Sequence, residues 1–257
     1  MTGAPRISGS PGKSVTRRSL LRAGAGLAAI IAAGKAPAAF IKSMLAARNA
    51  LRSGGGGGAD LPYARQVEYL ESTGTQYVNT GICPDNNTTT ELEFMLTGNI
   101  ASYDCLAGCF SNPPYRRYVI CTRSSSRSRY KKGSSSSPAY EYQETRRLNV
   151  KTHILFNGTG NSLEINGVNV ATLNDLDSAT DLPLILFASY LYTGNVVDWS
   201  KARIYWLKMR DRSTGVLLRD YEPVIDFDGV ACMYDKVSGN LFHNAGTEVF
   251  LTDEDAT

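Results

Sequence analysis

Histidine is scarce in this sequence: His153 and His243 are the only two in 257 residues. The chain also lacks a Gly-x-Ser-x-Gly nucleophile elbow, and no Lys-Ser or Lys-Thr follows its glycine run, Gly54–Gly58. Nucleophilic catalysis needs a positioned base, and phosphate-binding loops need that lysine and hydroxyl. These absences exclude the common signatures of nucleophilic and phosphate-transfer enzymes, and we predict that the protein is not an enzyme.

The first sixty residues contain no apolar run long enough to span a membrane and only one acidic residue. The apolar run Ala23–Gly34 covers about a dozen residues, whereas a transmembrane helix needs roughly 18 to 20. Residues 1–60 contain nine lysines or arginines and one acid, Asp60, so the whole-chain charge of +3 leaves −5 on residues 61–257. We therefore predict no permanent membrane span and no nucleic-acid partner.

The N-terminal region has the features of an export signal. Thr16–Arg22 resembles the twin-arginine motif, with Arg17 and Arg18 as its paired arginines. The apolar run follows, and Ala36-Pro-Ala38 offers the small residues that a signal peptidase accepts, so cleavage is predicted after residue 38. The resemblance implies export by the twin-arginine translocase to the periplasm, the cell surface or the medium. A disordered basic tail is the alternative.

The sequence divides into three predicted parts. Residues 1–38 are the signal peptide, and residues 39–60 are a short helical piece followed by the glycine run, which holds no fixed geometry at modest entropic cost. Residues 61–257 form a single domain, because their length suits one substantial core and is too short for two.

Strand-like segments recur through residues 61–257 with turn residues between them. In Thr88–Leu96 the apolar residues Leu92, Phe94 and Leu96 alternate with polar or exposed ones, as a half-buried strand requires. Asn166-Gly167 predicts a type I′ hairpin turn. Further predicted strands are Ile204–Met209, with Ile204, Trp206 and Lys208 on one face, and the continuous apolar run Leu182–Ala188. The pattern predicts an all-β sandwich or barrel and leaves the strand order open.

Four segments resemble the opening and closing strands of a recurrent bacterial surface domain: Val67–Ile82 (VEYLESTGTQYVNTGI), Lys201–Lys208, Leu218–Pro223 and Met233–Thr247. The family is the concanavalin A-like, LamG-type domain of bacterial surface and phage tail-fibre proteins. The resemblance implies an antiparallel β-sandwich in jelly-roll order and a function in binding. It is specific at the two ends of the domain, whereas residues 102–147 depart from it.

The connection Ser189–Ser200 carries the predicted ligand-binding residues, which are Tyr190, Tyr192, Asn195, Asp198 and Trp199. Aromatic rings stack on the apolar faces of sugars, and amide and carboxylate groups bond to hydroxyls. We therefore predict a non-catalytic, lectin-like module that binds a glycan or surface polysaccharide. For Trp199 a role in the core is the alternative. For the whole domain the alternative is a structural or protein-interaction role in a surface or fibre assembly.

A glycoside hydrolase is the third hypothesis, since laminarinase-type glucanases share this broad fold. Those enzymes carry a Glu-x-Asp-x-Glu pattern, which this chain lacks. Glu91 and Glu93 come nearest to it and are predicted to face water on an outer strand face. His153 and His243 are predicted to be structural, and Asp226 to be a turn residue.

Two interpretations stay open for each of three groups of residues: the cysteines, a run of calcium-type donors and a basic stretch. The five cysteines, at positions 83, 105, 109, 121 and 232, predict either one disulfide from Cys105 or Cys109 to Cys121, or buried thiols. Asp85-Asn86-Asn87 has calcium-binding donors but not a full ligand set, so no cofactor is predicted, with calcium as the alternative. A basic stretch predicts a solvated loop, with a polyanion-binding patch as the alternative; it comprises Arg116, Arg117, Arg123, Arg127, Arg129, Lys131 and Lys132.

Overall fold

The computed structural model of the protein describes residues 61–98, 103–112, 116–124, 127–134, 140–143, 148–176 and 179–255. The predicted export signal with Arg17 and Arg18, its cleavage site and the glycine linker lie outside these residues and stay predictions. Within the described ranges, no helix has the length and apolar character that crossing a bilayer requires. These ranges consist of β-strands, connecting turns and two short 3-10 turns, Thr159–Asn161 and Asp253–Asp255.

Among the described residues the first sheet contains ten strands, and every pairing between these strands is antiparallel. The strands are β1 Arg65–Gln66, β2 Leu70–Thr73, β4 Thr88–Leu96, β9 Thr152–Phe156, β10 Ser162–Ile165, β11 Val168–Thr172, β15 Lys201–Asp211, β16 Leu217–Ile225, β17 Ala231–Asp235 and β18 Asn240–Phe242. They are ordered β11-β10-β9-β4-β15-β16-β17-β18 across the sheet, with β1 beside β16 and β2 beside β15.

The second sheet contains eight strands in the order β14-β13-β5-β6-β7-β8, with β12 joining β3 to β5. One of its pairings is parallel, that of β13 with β5. The strands are β3 Val78–Asn79, β5 Asp104–Phe110, β6 Arg117–Ser124, β7 Arg127–Gly133, β8 Tyr140–Gln143, β12 Ile185–Leu186, β13 Ser189–Leu191 and β14 Val196–Val197.

Apolar side chains from both sheets form one core. Leu92 and Ile154 of the first sheet and Ile120 of the second are fully buried in it. The rings of Tyr118, from the second sheet, and Phe156, from the first, meet edge to face at 4.7 Å. Such contacts add to the stability from burial alone. The all-β prediction is confirmed, and the two sheets make the fold β-sandwich-like.

Two local predictions are confirmed. In β4 the buried residues Leu92, Phe94 and Leu96 alternate with half-buried ones. At the β10–β11 turn, Asn166 and Gly167 have φ values of 51° and 77°. Both central residues of a type I′ turn need positive φ, which asparagine and glycine tolerate.

The alternation predicted for Ile204–Met209 is confirmed from Trp206 to Met209 but is wrong for Ile204, because a β-bulge interrupts β15. Ile204 pairs with Phe94 and Trp206 pairs with Glu93, so Tyr205 is the extra residue. As a result Ile204 and Leu207 are both fully buried, while Trp206 lies on the outer face. A bulge inserts one residue without a partner and thereby exchanges the two faces of the strand beyond it.

The run Leu182–Ala188 is not the single strand that its composition predicts, although most of it is buried. Only Ile185–Leu186 forms a strand. Phe187 has a φ of 67°, a left-handed conformation that bulky residues rarely adopt. Its carbonyl accepts a hydrogen bond from the backbone N–H of Ser200 at 2.8 Å, and its ring packs against Phe250. This turn redirects the chain so that β13 runs parallel to β5.

The first and last of the family-like segments lie against each other. The backbone N–H groups of Ala245 and Thr247 donate to the carbonyls of Tyr77 and Thr75 at 2.9 and 3.0 Å. The side chain of Gln76 is fully buried, and its Nε2 donates to the Val249 carbonyl, 173 positions along the chain, at 3.0 Å. We call this set of contacts the terminal clasp, since it joins the two ends of the domain.

We expect Gly246→Ala to lower the free energy of unfolding by about 1–3 kcal/mol. A Cβ at this position would lie 2.1 Å from the Thr75 carbonyl oxygen, a backbone atom of the terminal clasp. Urea denaturation measures the change. The matched control is Gly98→Ala, whose Cβ would meet only the flexible Lys201 side chain, at 3.1 Å. Equal losses of stability in the two variants would contradict the close approach.

Candidate ligand-binding groove

Alternation along β6 and β7 divides the basic stretch between the two faces of the second sheet. Tyr118 and Tyr130 point into the core. Neighbouring residues on a strand point to opposite faces. The tyrosines are flanked in sequence by Arg117, Arg129 and Lys131, which therefore lie on the outer face. The predicted solvated loop is wrong for this part of the chain, because its backbone is paired into strands and its tyrosines are buried between the sheets.

Two adjoining depressions lie on this outer face, with volumes of about 240 and 380 Å³. Both are lined by Phe110, Arg117 and Asp198. We call the pair the outer groove. The first depression is also lined by Tyr103, Val119, Cys121, Arg129 and Lys131, and the second by Ser111, Leu191, Tyr192 and Val197.

Aromatic rings hold the two arginines of the outer groove in place. The Arg117 guanidinium lies 5.0 Å from the centre of the Phe110 ring, and that of Arg129 lies 6.0 Å from the Tyr103 ring. Cation–π contacts of this kind restrict the long arginine side chains. A guanidinium donates two parallel hydrogen bonds to a carboxylate or sulfate. The groove therefore presents preorganised anion-binding groups.

Lys131 is buried in the groove between these arginines, with 3% of its surface exposed. Burial, together with the neighbouring charges of Arg117 and Arg129, lowers the pKa of its ammonium group to about 8. Burial and the charge of Arg129 likewise lower the pKa of Arg117. Like charges close together in a partly desolvated site repel one another, and the Asp198 carboxylate lines the same depression.

Two of the five predicted binding residues line the outer groove. Tyr192 lies at its rim with 47% of its surface exposed. Asp198 borders both depressions and has a φ of 53°. Its backbone carbonyl accepts a hydrogen bond from the N–H of Cys105 at 2.8 Å, and burial raises the pKa of its carboxyl group.

The other three predicted residues are placed elsewhere, and none is among the described residues that line the groove. Tyr190 lies opposite Cys109, whose side chain faces the core. The side-chain amide of Asn195 donates to Thr193 Oγ1 at 3.2 Å within a turn. The Trp199 ring is half-buried and packs edge-on against Tyr77 at 5.8 Å, and Trp199 is not among the buried residues of the core.

The sequence does not mark Tyr103 and Phe110 as binding residues, and it indicates Arg117, Arg129 and Lys131 only in the polyanion-binding alternative. These cations alternate with Tyr118 and Tyr130, a pattern typical of a strand. The serines around them favour a loop instead.

The register of β5 and β6 indicates which cysteine is able to form a disulfide with Cys121. Cys105 and Cys121 are directly opposite each other, whereas Cys109 faces the core. The N–H of Cys105 points away from β6, to Asp198. Such a non-hydrogen-bonded pair brings Cα atoms to roughly 4.5 Å, within disulfide range. Cys105, and not Cys109, is therefore the partner that geometry allows for Cys121; all five cysteines are free thiols in this structure.

Of the three candidate calcium donors Asp85, Asn86 and Asn87, Asn86 is engaged by the protein's own lysine. Lys132 points inward, and its Nζ lies 2.9, 2.6 and 3.2 Å from the side-chain oxygens of Asn86, Asn157 and Asn161. Burial, followed by the charge of Arg212, lowers the pKa of this ammonium to about 8. The Lys132 ammonium thus occupies the centre of an oxygen cluster of the kind that binds metal cations.

Glu91 and Glu93 lie half-buried on the outer face of the first sheet, each beside a basic group. His153 Nε2 is 3.0 Å from Glu91 Oε1, and Lys151 Nζ is 3.8 Å from Glu93. The His153 ring also packs against Trp206 at 5.5 Å. In these contacts each glutamate pairs with a basic residue on the outer face of the sheet, as predicted for surface residues. That the protein has no catalytic activity stays a prediction.

No model of a known protein family matches the chain, and a search of curated proteins gives no match. The concanavalin A-like family assignment therefore stays a proposal.

Proposed function

We propose that this protein is a non-catalytic carbohydrate-binding module whose outer groove binds an acidic glycan. The observation that supports this most is the grouping of Arg117, Arg129 and Lys131, two of them stacked on aromatic rings, in an open groove. Carboxylated or sulfated sugars carry the groups that paired guanidiniums recognise. Tyr192 at the rim supplies an aromatic face for a neighbouring ring of the same ligand.

The shape and charge of the domain favour a sugar acid over a nucleic acid. The net charge of −5 on residues 61–257 makes the positive groove a local exception on an acidic domain. Nucleic-acid binding depends on many phosphate contacts along an extended basic surface. Two depressions of about 240 and 380 Å³ instead suit a short stretch of an oligosaccharide.

The finer fold and the location belong to the same proposal. A jelly-roll, concanavalin A-like order is supported by the two-sheet fold and by the terminal clasp, which joins the family-like segments. The twin-arginine sequence around Arg17 and Arg18 supports export to the periplasm, the cell surface or the medium. An exported module of this kind would meet surface polysaccharides as its partners.

Arg129→Gln should weaken binding of an acidic oligosaccharide about 10- to 100-fold, because it removes charge-assisted hydrogen bonds of about 1.5–3 kcal/mol. Isothermal titration of the full chain with a polyuronate fragment and a sulfated fragment measures the affinity. Tyr192→Ala should weaken binding as well, by loss of a stacking contact. A neutral glucan of equal length should bind at least tenfold more weakly than the acidic fragments.

The matched control is Lys208→Gln, which removes one positive charge from the outer face of the first sheet. It should leave the affinity unchanged. Equal losses in the Arg129 and Lys208 variants would show that net charge, and not the groove, governs binding. Preferential binding of a single-stranded oligonucleotide would contradict the acidic-glycan assignment. Absence of binding by a folded chain that self-associates would favour the structural alternative.

Binding should also weaken as the pH rises through about 8. Below that pH the Lys131 ammonium is protonated and attracts the anion; above it the group in the free protein loses its proton, because its pKa is lowered to about 8. The affinity for a permanently charged sulfated fragment should then fall by up to about tenfold per pH unit. Titrations at pH 7, 8 and 9 measure this dependence.

Lys131→Met is the control for the pH dependence. It should bind more weakly than the native chain at pH 7 and show a flat profile between pH 7 and 9, since the arginines stay charged. An unchanged affinity of the native chain across this range, or the same decline in the variant, would contradict the role of Lys131.

A further inference from the structure

Asp226, Cys232 and His243 come together at the β17–β18 side of the first sheet. Asp226 follows β16, Cys232 lies in β17, and His243 follows β18. One donor atom from each residue lies within 4.8 Å of the other two. The outer groove uses none of these three residues, so the cluster belongs to a separate part of the domain.

Strand register explains why three distant side chains share one face. Met233 pairs with Phe242, so the next pair along these strands is Cys232 with His243. Cys232 also pairs with Val224, and Asp226 is two residues beyond Val224. Residues two apart on a strand point to the same side. The three donors therefore converge because Cys232 lies in a strand and the other two residues directly follow the ends of neighbouring strands.

Hydrogen bonds fix the Asp226 carboxylate toward the other two donors. Its Oδ1 accepts from the backbone N–H groups of Asp228 and Val230 at 2.9 and 2.8 Å. Its Oδ2 lies 2.8 Å from His243 Nε2. One carboxylate oxygen is thus held by the backbone, while the other faces the imidazole. Secondary contacts that orient a ligand in this way are typical of metal sites.

We propose that Asp226, Cys232 and His243 bind a zinc ion. A carboxylate oxygen, a thiolate and an imidazole nitrogen are the donor types that zinc prefers, and sites with three protein ligands keep a fourth position open. Zinc–ligand bonds of about 2.0–2.3 Å place tetrahedral ligands roughly 3.3–3.8 Å apart. The three donors are within 4.8 Å of one another, so small side-chain rotations complete the site.

Access and proton balance fit this assignment. The His243 side chain is 46% exposed, so the ion reaches the cluster from the imidazole side, whereas Cys232 is fully buried. Binding breaks the His243–Asp226 hydrogen bond, and the proton on Nε2 is lost to solvent while the neutral imidazole carries its proton on Nδ1. The thiol proton of Cys232 is also released to solvent. The open fourth position is filled by water or by a donor atom of a partner molecule.

Zinc titration of the purified, metal-free full chain tests the site. Isothermal titration should give one high-affinity zinc ion per chain. Cobalt(II), used as a spectroscopic probe, should give a thiolate-to-metal absorption band in the near ultraviolet. Cys232→Ser should remove that band, and His243→Gln should weaken zinc binding by more than about 100-fold, because loss of a direct ligand exceeds the effect of an outer contact.

The matched controls are Cys109→Ser and His153→Gln, a buried thiol and a half-exposed histidine outside the cluster. Both should keep zinc affinity and the cobalt band. His243 is largely exposed, so its variant should fold even if the Cys232 variant does not, and circular dichroism checks both. Sub-stoichiometric zinc binding, an unchanged affinity in His243→Gln, or a loss confined to His153→Gln would overturn the proposal.

Discussion

Burial of apolar side chains between the two sheets is the constraint on which the rest of the structure depends. Tyr118, Ile120 and Tyr130 enter the core from the second sheet, and each large buried side chain contributes about 1.5–3 kcal/mol. A slip of one residue would bring Arg117 and Arg129 into that core at a large desolvation cost. The core thus fixes the strand register, and the register places the cations side by side on the outer face.

The two neighbouring lysines of β7 show how differently one strand uses positive charge. Lys132 points inward, and the amide oxygens of three asparagines accept hydrogen bonds from its ammonium group within the fold. Lys131 points outward into a groove that it shares with Arg117 and Arg129. Several cations gathered in a cleft, where burial strengthens electrostatic interactions, are typical of a site that binds an oppositely charged ligand, and the Asp198 carboxylate lies at the border of this one.

The sequence predicts those elements whose conformation depends on residues close together in the chain. The alternation in β4 and the Asn166-Gly167 turn follow from local geometry. The bulge at Tyr205 and the left-handed Phe187 depend on partners more than ten positions away, so no local pattern reveals them. For the proposed site, the sequence indicates Tyr192 and Asp198 because they lie on a connection rich in aromatic and polar residues. Phe110 and Tyr103 join them only through pairing of distant strands, as do the ligands of the proposed zinc site.

The most direct test of the groove as the binding site is an NMR titration of the isotope-labelled full chain with an acidic oligosaccharide. Chemical-shift changes should concentrate at Phe110, Arg117, Arg129 and Tyr192, and should saturate at one ligand per chain. Trp206 and the rest of the outer face of the first sheet should stay unperturbed. Chemical-shift changes centred on that face, or no saturable change around the groove, would contradict ligand binding at the outer groove.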